Sequence, residues 1–192
     1  VDVNLKLPKI PYRETIKKKV RVQGKHKKQT GGHGQFGDCW VQFEPLPKGA
    51  GFEFVDAIVG GVIPKTYIPA VEKGVVEAMA LGAIAGYPVV DVKVTLYDGS
   101  YHEVDSNENA FKMAGSIGFR LAAAEASPVL MEPVYEITVV VPDEYLGDVM
   151  SDVSSRRGKI RETGQQGRYQ VVKAAVHLLG NARVIADEGS VT

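Results

Sequence analysis

Gln29–Gly37 reads QTGGHGQFG, and its Gly32, Gly34 and Gly37 fall in the order G-x-G-x-x-G. That order can bring backbone N–H groups against a pyrophosphate, and Asp56 lies at roughly the distance of the acidic ribose partner. The chemistry also needs a strand before the glycines and a helix after them. Here DCWVQFEPL follows, with Cys39, Val41 and Phe43 alternating against Trp40 and Gln42, which is strand periodicity. The dinucleotide frame is missing. No G-x-x-x-x-G-K-[ST] run offers a triphosphate loop elsewhere. A second use of the glycines fits better. They permit positive φ and leave the backbone bare of Cβ atoms. With Lys25, Lys27, Lys28 and His33 around them, they suit a phosphate-rich ligand larger than a mononucleotide. Gln35 adds a donor and an acceptor. The plain alternative is a flexible hairpin tip.

His102 stands in SYHEVDS, beside Glu103, Asp105 and Ser106. A Ser-His-Asp hydrolase is a weak reading, because no G-x-S-x-G elbow exists and triads are assembled by fold. His102 and His33 also lack the paired spacing of metal ligands, so no metal is expected. Cys39, the sole cysteine, reads as a small core residue. Arg156-Arg157 reads equally as a helix-end charge pair or a phosphate contact.

The totals are ordinary: 192 residues, 44% hydrophobic, 24% charged and zero formal net charge. No apolar run approaches the length of about 18 residues that a membrane span needs. The polar, proline-interrupted start does not read as a signal peptide, and one cysteine suits a reducing compartment, so a cytoplasmic location is expected, and a monomer is expected with it. The zero conceals an asymmetry. Ile16 to Gly37 holds seven lysines or arginines and no acid. Charge position, not the total, decides where a polyanion is drawn.

These residues need elements to hold them. Tyr12–Val22 reads as extended, like DCWVQFEPL, so the glycine loop between them becomes a hairpin tip, and 51–58 alternates again. Ile68–Leu81 has helical spacing, with Pro69 in its first turn and Gly82 at its end. PVVDVKVTL (88–96) alternates, with Val90, Val92, Val94 and Leu96 on one face, and Tyr97–Ser100 reads as a turn. A second helix follows, capped by Asp105 or Ser106, with Ala110, Ala114, Ile117 and Leu121 on one face. The loops at 30–36 and 98–105 would share a tip if both lie at one end. Residues between Ser127 and Pro133 read as a linker, dividing the chain into domains at 1–127 and 128–192. The second reads strand, helix, strand, strand, which is most of a ferredoxin-like unit. Its helix carries Leu146, Val149, Met150 and Val153 inward, with Gly158 at the C′ position. The fold class is α+β, in two domains.

Four strings bear a specific likeness: KKQTGGHGQFGD, FVDAIVGGVIPKTYIPAVEKGVVEAM, GYPVVDVKVTLYDGSYHEVDSNENAFKMAGSIGFR and PVLMEPVYEITVVVPDEYLGDVMSDVSSRRGKI. They closely resemble the C-terminal part of bacterial translation elongation factor G, from about Tyr12 to about Ile160. The resemblance implies an elongated, ribosomal-protein-like β-α-β arm, the family's fourth domain, then a ferredoxin-like fifth domain that departs from the pattern after Ile160. It implies that the GTPase domain lies outside this chain, which is not itself an enzyme and needs no cofactor. It implies two tip loops, Gly31, Gly32, His33, Gly34, Gln35 and Phe36 in one and Ser100, Tyr101, His102, Glu103 and Asp105 in the other. They would meet the codon–anticodon duplex in the 16S decoding site, and Gln35 and His102 match the family's tip residues. His33 departs from the basic or small residue often found there. The fifth domain would lie near the 23S stalk base and sarcin–ricin region. A recycling or ribosomal-protection paralogue is the alternative.

Overall fold

The computed structural model describes residues 10–29, 32 and 34–177. Nine strands and three α-helices lie in that range, together with single 3-10 turns at Lys65–Tyr67 and Asp143–Tyr145. The chain divides into two compact units, one spanning Tyr12–Met131 and the other containing Glu132 onward.

The first unit is built on a four-stranded sheet in the order β2-β3-β5-β4. Its strands are β2 (Val20–Lys28), β3 (Gln35–Pro45), β4 (Phe52–Asp56) and β5 (Val92–Ser100). β2, β3 and β5 run antiparallel, and β4 runs parallel to β5. The parallel pair requires a crossover, which α1 (Ile68–Ala80) provides. Cys39, Val41, Phe43, Val92, Val94 and Leu96 turn one sheet face inward and are essentially inaccessible. Val71, Val75 and Met79 of α1 meet them, as do Phe111, Ala114 and Phe119 of α2 (Glu108–Glu125). Two of the glycines serve this packing. A Cβ on Gly37 would stand 2.5 Å from the Ala110 carbonyl oxygen, and one on Gly24 would collide with that of Ala114. Bare backbone lets α2 lie against β2 and β3.

Several sequence expectations change here. Val90 is only half-buried and Val89 takes its core place, because Asp91 adopts φ 60° and resets the alternation. The buried Asp91 carboxylate accepts the Gly49 and Gly51 N–H groups at 3.1 and 2.8 Å, holding the preceding turn. Tyr97–Ser100 is strand, not turn. Asp98, Gly99 and Ser100 pair with Trp40, Cys39 and Asp38, leaving Tyr97 as the extra residue of a bulge. Asn107 caps α2, its side chain accepting the Ala110 N–H, because Asp105 and Ser106 are engaged elsewhere. The α2 face is also rotated: Ala110, Ala114 and Phe119 are buried, but Leu121 is exposed.

The expected linker is a strand. β6 (Pro128–Met131) pairs antiparallel with β1 (Arg13–Ile16), which carries the first unit to Met131 rather than residue 127. Backbone amides that could have been solvated in a linker are instead paired across a short ladder.

The second unit has a three-stranded sheet in the order β7-β9-β8, antiparallel throughout. It comprises β7 (Val134–Pro142), α3 (Leu146–Ser155), β8 (Lys159–Gln166) and β9 (Tyr169–His177). This is the β-α-β-β part of a ferredoxin-like fold. Val153 of α3 is buried with Val172 and Ala174 of β9. The helix closes in a Schellman arrangement, with Arg157 N–H on Ser154 O and Gly158 N–H on Val153 O. Arg157, at φ 60°, is therefore the left-handed residue, one position before the expected Gly158. β8 and β9 continue the unit through His177, with a register shift in their ladder between Ile160 and Glu162. Residues 178–192 lie outside the described residues.

Candidate nucleic-acid interface

β2 and β3 form a long hairpin whose last pair is Lys28 with Gln35. Gln35 and Phe36 thus belong to the strand, and the loop proper lies between Lys28 and Gln35. Gly31 and His33 lie outside the described residues. Gly32 is exposed and Gly34 is buried.

A second loop, 101–107, leads from β5 into α2 and closes onto this hairpin. The Asp105 carboxylate accepts the Gly34 N–H at 3.0 Å, and its carbonyl accepts the Phe36 N–H at 2.8 Å. Ser106 Oγ donates to the Phe36 carbonyl at 2.9 Å and accepts the His102 N–H at 2.8 Å. Tyr67 Oη donates to the Ser106 carbonyl at 3.2 Å. Three segments distant in sequence are thereby tied at one end of the sheet. A Cβ on Gly34 would stand 2.8 Å from the Asp105 carboxyl carbon, so this glycine admits the latch. Its N–H faces Asp105, not a ligand.

The exposed groups stand around the latch. His102 packs edgewise near Phe36, ring centroids 6.4 Å apart, and its Nδ1 lies 3.7 Å from Asp105 Oδ2. Nδ1 also accepts the Asp105 N–H at 3.4 Å, which leaves Nε2 to carry the proton of a neutral ring. Tyr101 and Val104 are exposed at 44% and 65%, and Glu103 is exposed beside them. Lys25 Nζ sits 5.8 Å over the Phe36 ring, and Lys27 and Lys28 are exposed. Gln35 Oε1 meets His26 Nε2 at 2.8 Å.

The structure thus brings Gly34, Gln35, Phe36, His102 and Asp105 together. Ser100 stands apart from them, its hydroxyl donating to Asp38 Oδ2 at 2.8 Å. Asp105 is turned inward as a latch. Sequence reasoning marked Ser106 only as a helix cap and missed Tyr67, which nothing local marks, and the hairpin register is what brings His26 near Gln35. Among the described residues, no cluster of three His, Cys, Asp or Glu could hold a metal, and no helix is long and apolar enough to cross a membrane.

Comparison with known proteins gives this geometry its context. Residues 8–127 match elongation factor G, domain IV, and residues 129–179 match the elongation factor G C-terminus. The second match runs well past Ile160. A crystal structure of a protein from Thermus thermophilus is 51% identical, with a TM-score of 0.82 over 90% of this chain. This chain spans 26% of that protein's length. Two consecutive family matches over most of the chain, on an α+β fold of the same kind, establish that it belongs to the elongation factor G family, of which it carries domain IV and the C-terminal domain.

Proposed function

We propose that this chain is the ribosome-engaging part of a translation elongation factor that promotes movement of tRNA and mRNA. The observation that carries the reading is the latched tip, with exposed His102 and Tyr101 on one loop and Lys25, Lys27 and Lys28 on the adjoining hairpin. A paired RNA is read through its shape, 2′-hydroxyls and phosphates. A factor serving every codon must avoid base-specific forks, and the tip offers Gln35, His102 and ammonium groups instead of an arginine aimed at guanine. The tip engages the codon–anticodon duplex in the 16S decoding site, and the C-terminal domain lies by the 23S stalk base and sarcin–ricin region. The chain acts as a monomeric, cytoplasmic, non-catalytic arm without a cofactor of its own, and GTP hydrolysis belongs to a separate domain.

The test is chemical footprinting of ribosomes with the purified chain at several salt concentrations. Protection of decoding-site bases is expected, weakened by Gln35→Ala and His102→Ala, with log affinity falling steeply with log salt. Tight, salt-insensitive binding, or a footprint that ignores both substitutions, refutes the reading. A recycling or ribosomal-protection role is the second reading. Separate assays of translocation, subunit splitting and tetracycline release distinguish them.

A further inference from the structure

The helices cover one face of the first unit's sheet, and the alternation of β2, β3 and β5 leaves Arg21, Gln23, Lys25, Trp40, Gln42 and Tyr97 on the other. We infer that this open face is a second RNA-binding surface, which takes a single-stranded segment with a base stacked on Trp40 and its phosphates along β2. The face shares Lys25 and Lys27 with the tip, whereas Arg21, Trp40 and Tyr97 belong to it alone.

Arg21 is the first reason. Its Nε donates to Gln42 Oε1 at 2.7 Å, and its guanidinium carbon lies 5.5 Å over the Tyr97 ring. Gln42 donates in turn to Glu44 at 2.7 Å, and Glu44 pairs with Lys19 at 2.8 Å. This chain of contacts holds the guanidinium by Nε and by its plane. No carboxylate among the described residues pairs with it, and its two terminal nitrogens retain the fork that matches a phosphate.

The charge balance of the face is the second reason. Two of its carboxylates are neutralised, Glu44 by Lys19 at 2.8 Å and Glu53 by Lys93 at 2.9 Å, while Asp38 accepts only the neutral donors of Gln23 and Ser100 at 2.8 Å each. Asp98 accepts the next amide, that of Gly99, at 2.8 Å. Arg21, Lys25 and Lys27 have no carboxylate partner among the described residues. They lie on the edge strand β2 at even residue steps, about 7 Å per two residues. Beside this cationic rail Trp40 is 37% exposed, opposite Gln23 in the ladder. Trp40 faces Gln23 on β2 and Asp98 on β5, and Arg21 and Lys25 flank Gln23 along the rail. An exposed indole beside such a rail suits a nucleobase, since every base has a π-face and every nucleotide a phosphate.

Trp40 is the sole tryptophan of the chain, so it reports on its own occupancy. The experiment titrates the full chain at low salt with a twelve-nucleotide oligouridine and reads Trp40 emission. Saturable quenching is expected. Arg21→Gln and Lys25→Gln should each weaken it about five- to tenfold and reduce the salt slope by about 0.7. Lys73→Gln, the same charge change on an exposed turn of α1, should leave it unaltered. In a parallel measurement with labelled RNA, Trp40→Ala should weaken binding at least tenfold. Absence of quenching overturns the inference, as does an equal effect from Lys73→Gln. Equal quenching by polyglutamate also overturns it, because a polyanion without bases would then suffice. None of these readouts depends on the ribosome, and Arg21→Gln and Trp40→Ala alter no residue of the tip, so the tip proposal and this one are refuted by different results.

Discussion

Glu14 is fully buried, and its carboxylate is the sole acceptor shared by four backbone amides of the segment after α1. Oε2 accepts Ala83 and Ile84 N–H at 2.6 and 2.9 Å, and Oε1 accepts Ala85 and Tyr87 N–H at 2.8 and 3.0 Å. Burial by itself pushes the carboxyl pKa upward, but the four amides outweigh it and hold the pKa below its ordinary value. Glu14→Gln keeps the shape and replaces one oxygen with an NH2 group. Two amides then lose their acceptor and face a donor. At about 1.5–2 kcal/mol for each charge-assisted bond, the loss is about 3–4 kcal/mol. Trp40 emission reports unfolding of this unit specifically, because Trp40 lies within it. With a urea slope of about 2 kcal/mol per molar, the midpoint should fall by about 1.5–2 M. The sign of the pH dependence follows from the lowered pKa. The Glu14 contribution is complete above the unfolded value near 4.5 and is lost as pH falls through the lower folded value. The gap between wild type and Glu14→Gln should therefore close in acid. A midpoint shift under about 0.5 M, with a gap indifferent to pH, refutes the reasoning.

Three further outcomes are expected. Asp105→Ala removes the acceptor of the Gly34 amide and should speed hydrogen exchange at residues 34–36 about tenfold, with the core amides unchanged. Gly24→Ala drives a methyl into the Ala114 carbonyl and should cost about 1–3 kcal/mol in the same urea assay. The Cys39 thiol, inaccessible and pushed up to about 12 by burial and by the Asp38 charge, should ignore a thiol reagent until urea unfolds the unit.

The sequence by itself determined most of the secondary structure. Alternation at Cys39–Phe43 and Val92–Leu96 and helical spacing at Ile68–Met79 are local signals, set by which side chains one element turns inward. The family strings made the two domains and the tip legible. The tertiary structure alone decided three other matters. Gly24 and Gly37 are determined by the closeness of α2, a distance no local pattern encodes. Segment 128–131 reads as linker until β1, more than a hundred residues earlier, is placed beside it. Asp105 and Ser106 look like helix caps in a string, yet commit their oxygens to Gly34 and Phe36 across the tip. A polar side chain has several partners within reach of its own segment. Which one it takes depends on what the fold delivers to it, and that is a property of three dimensions.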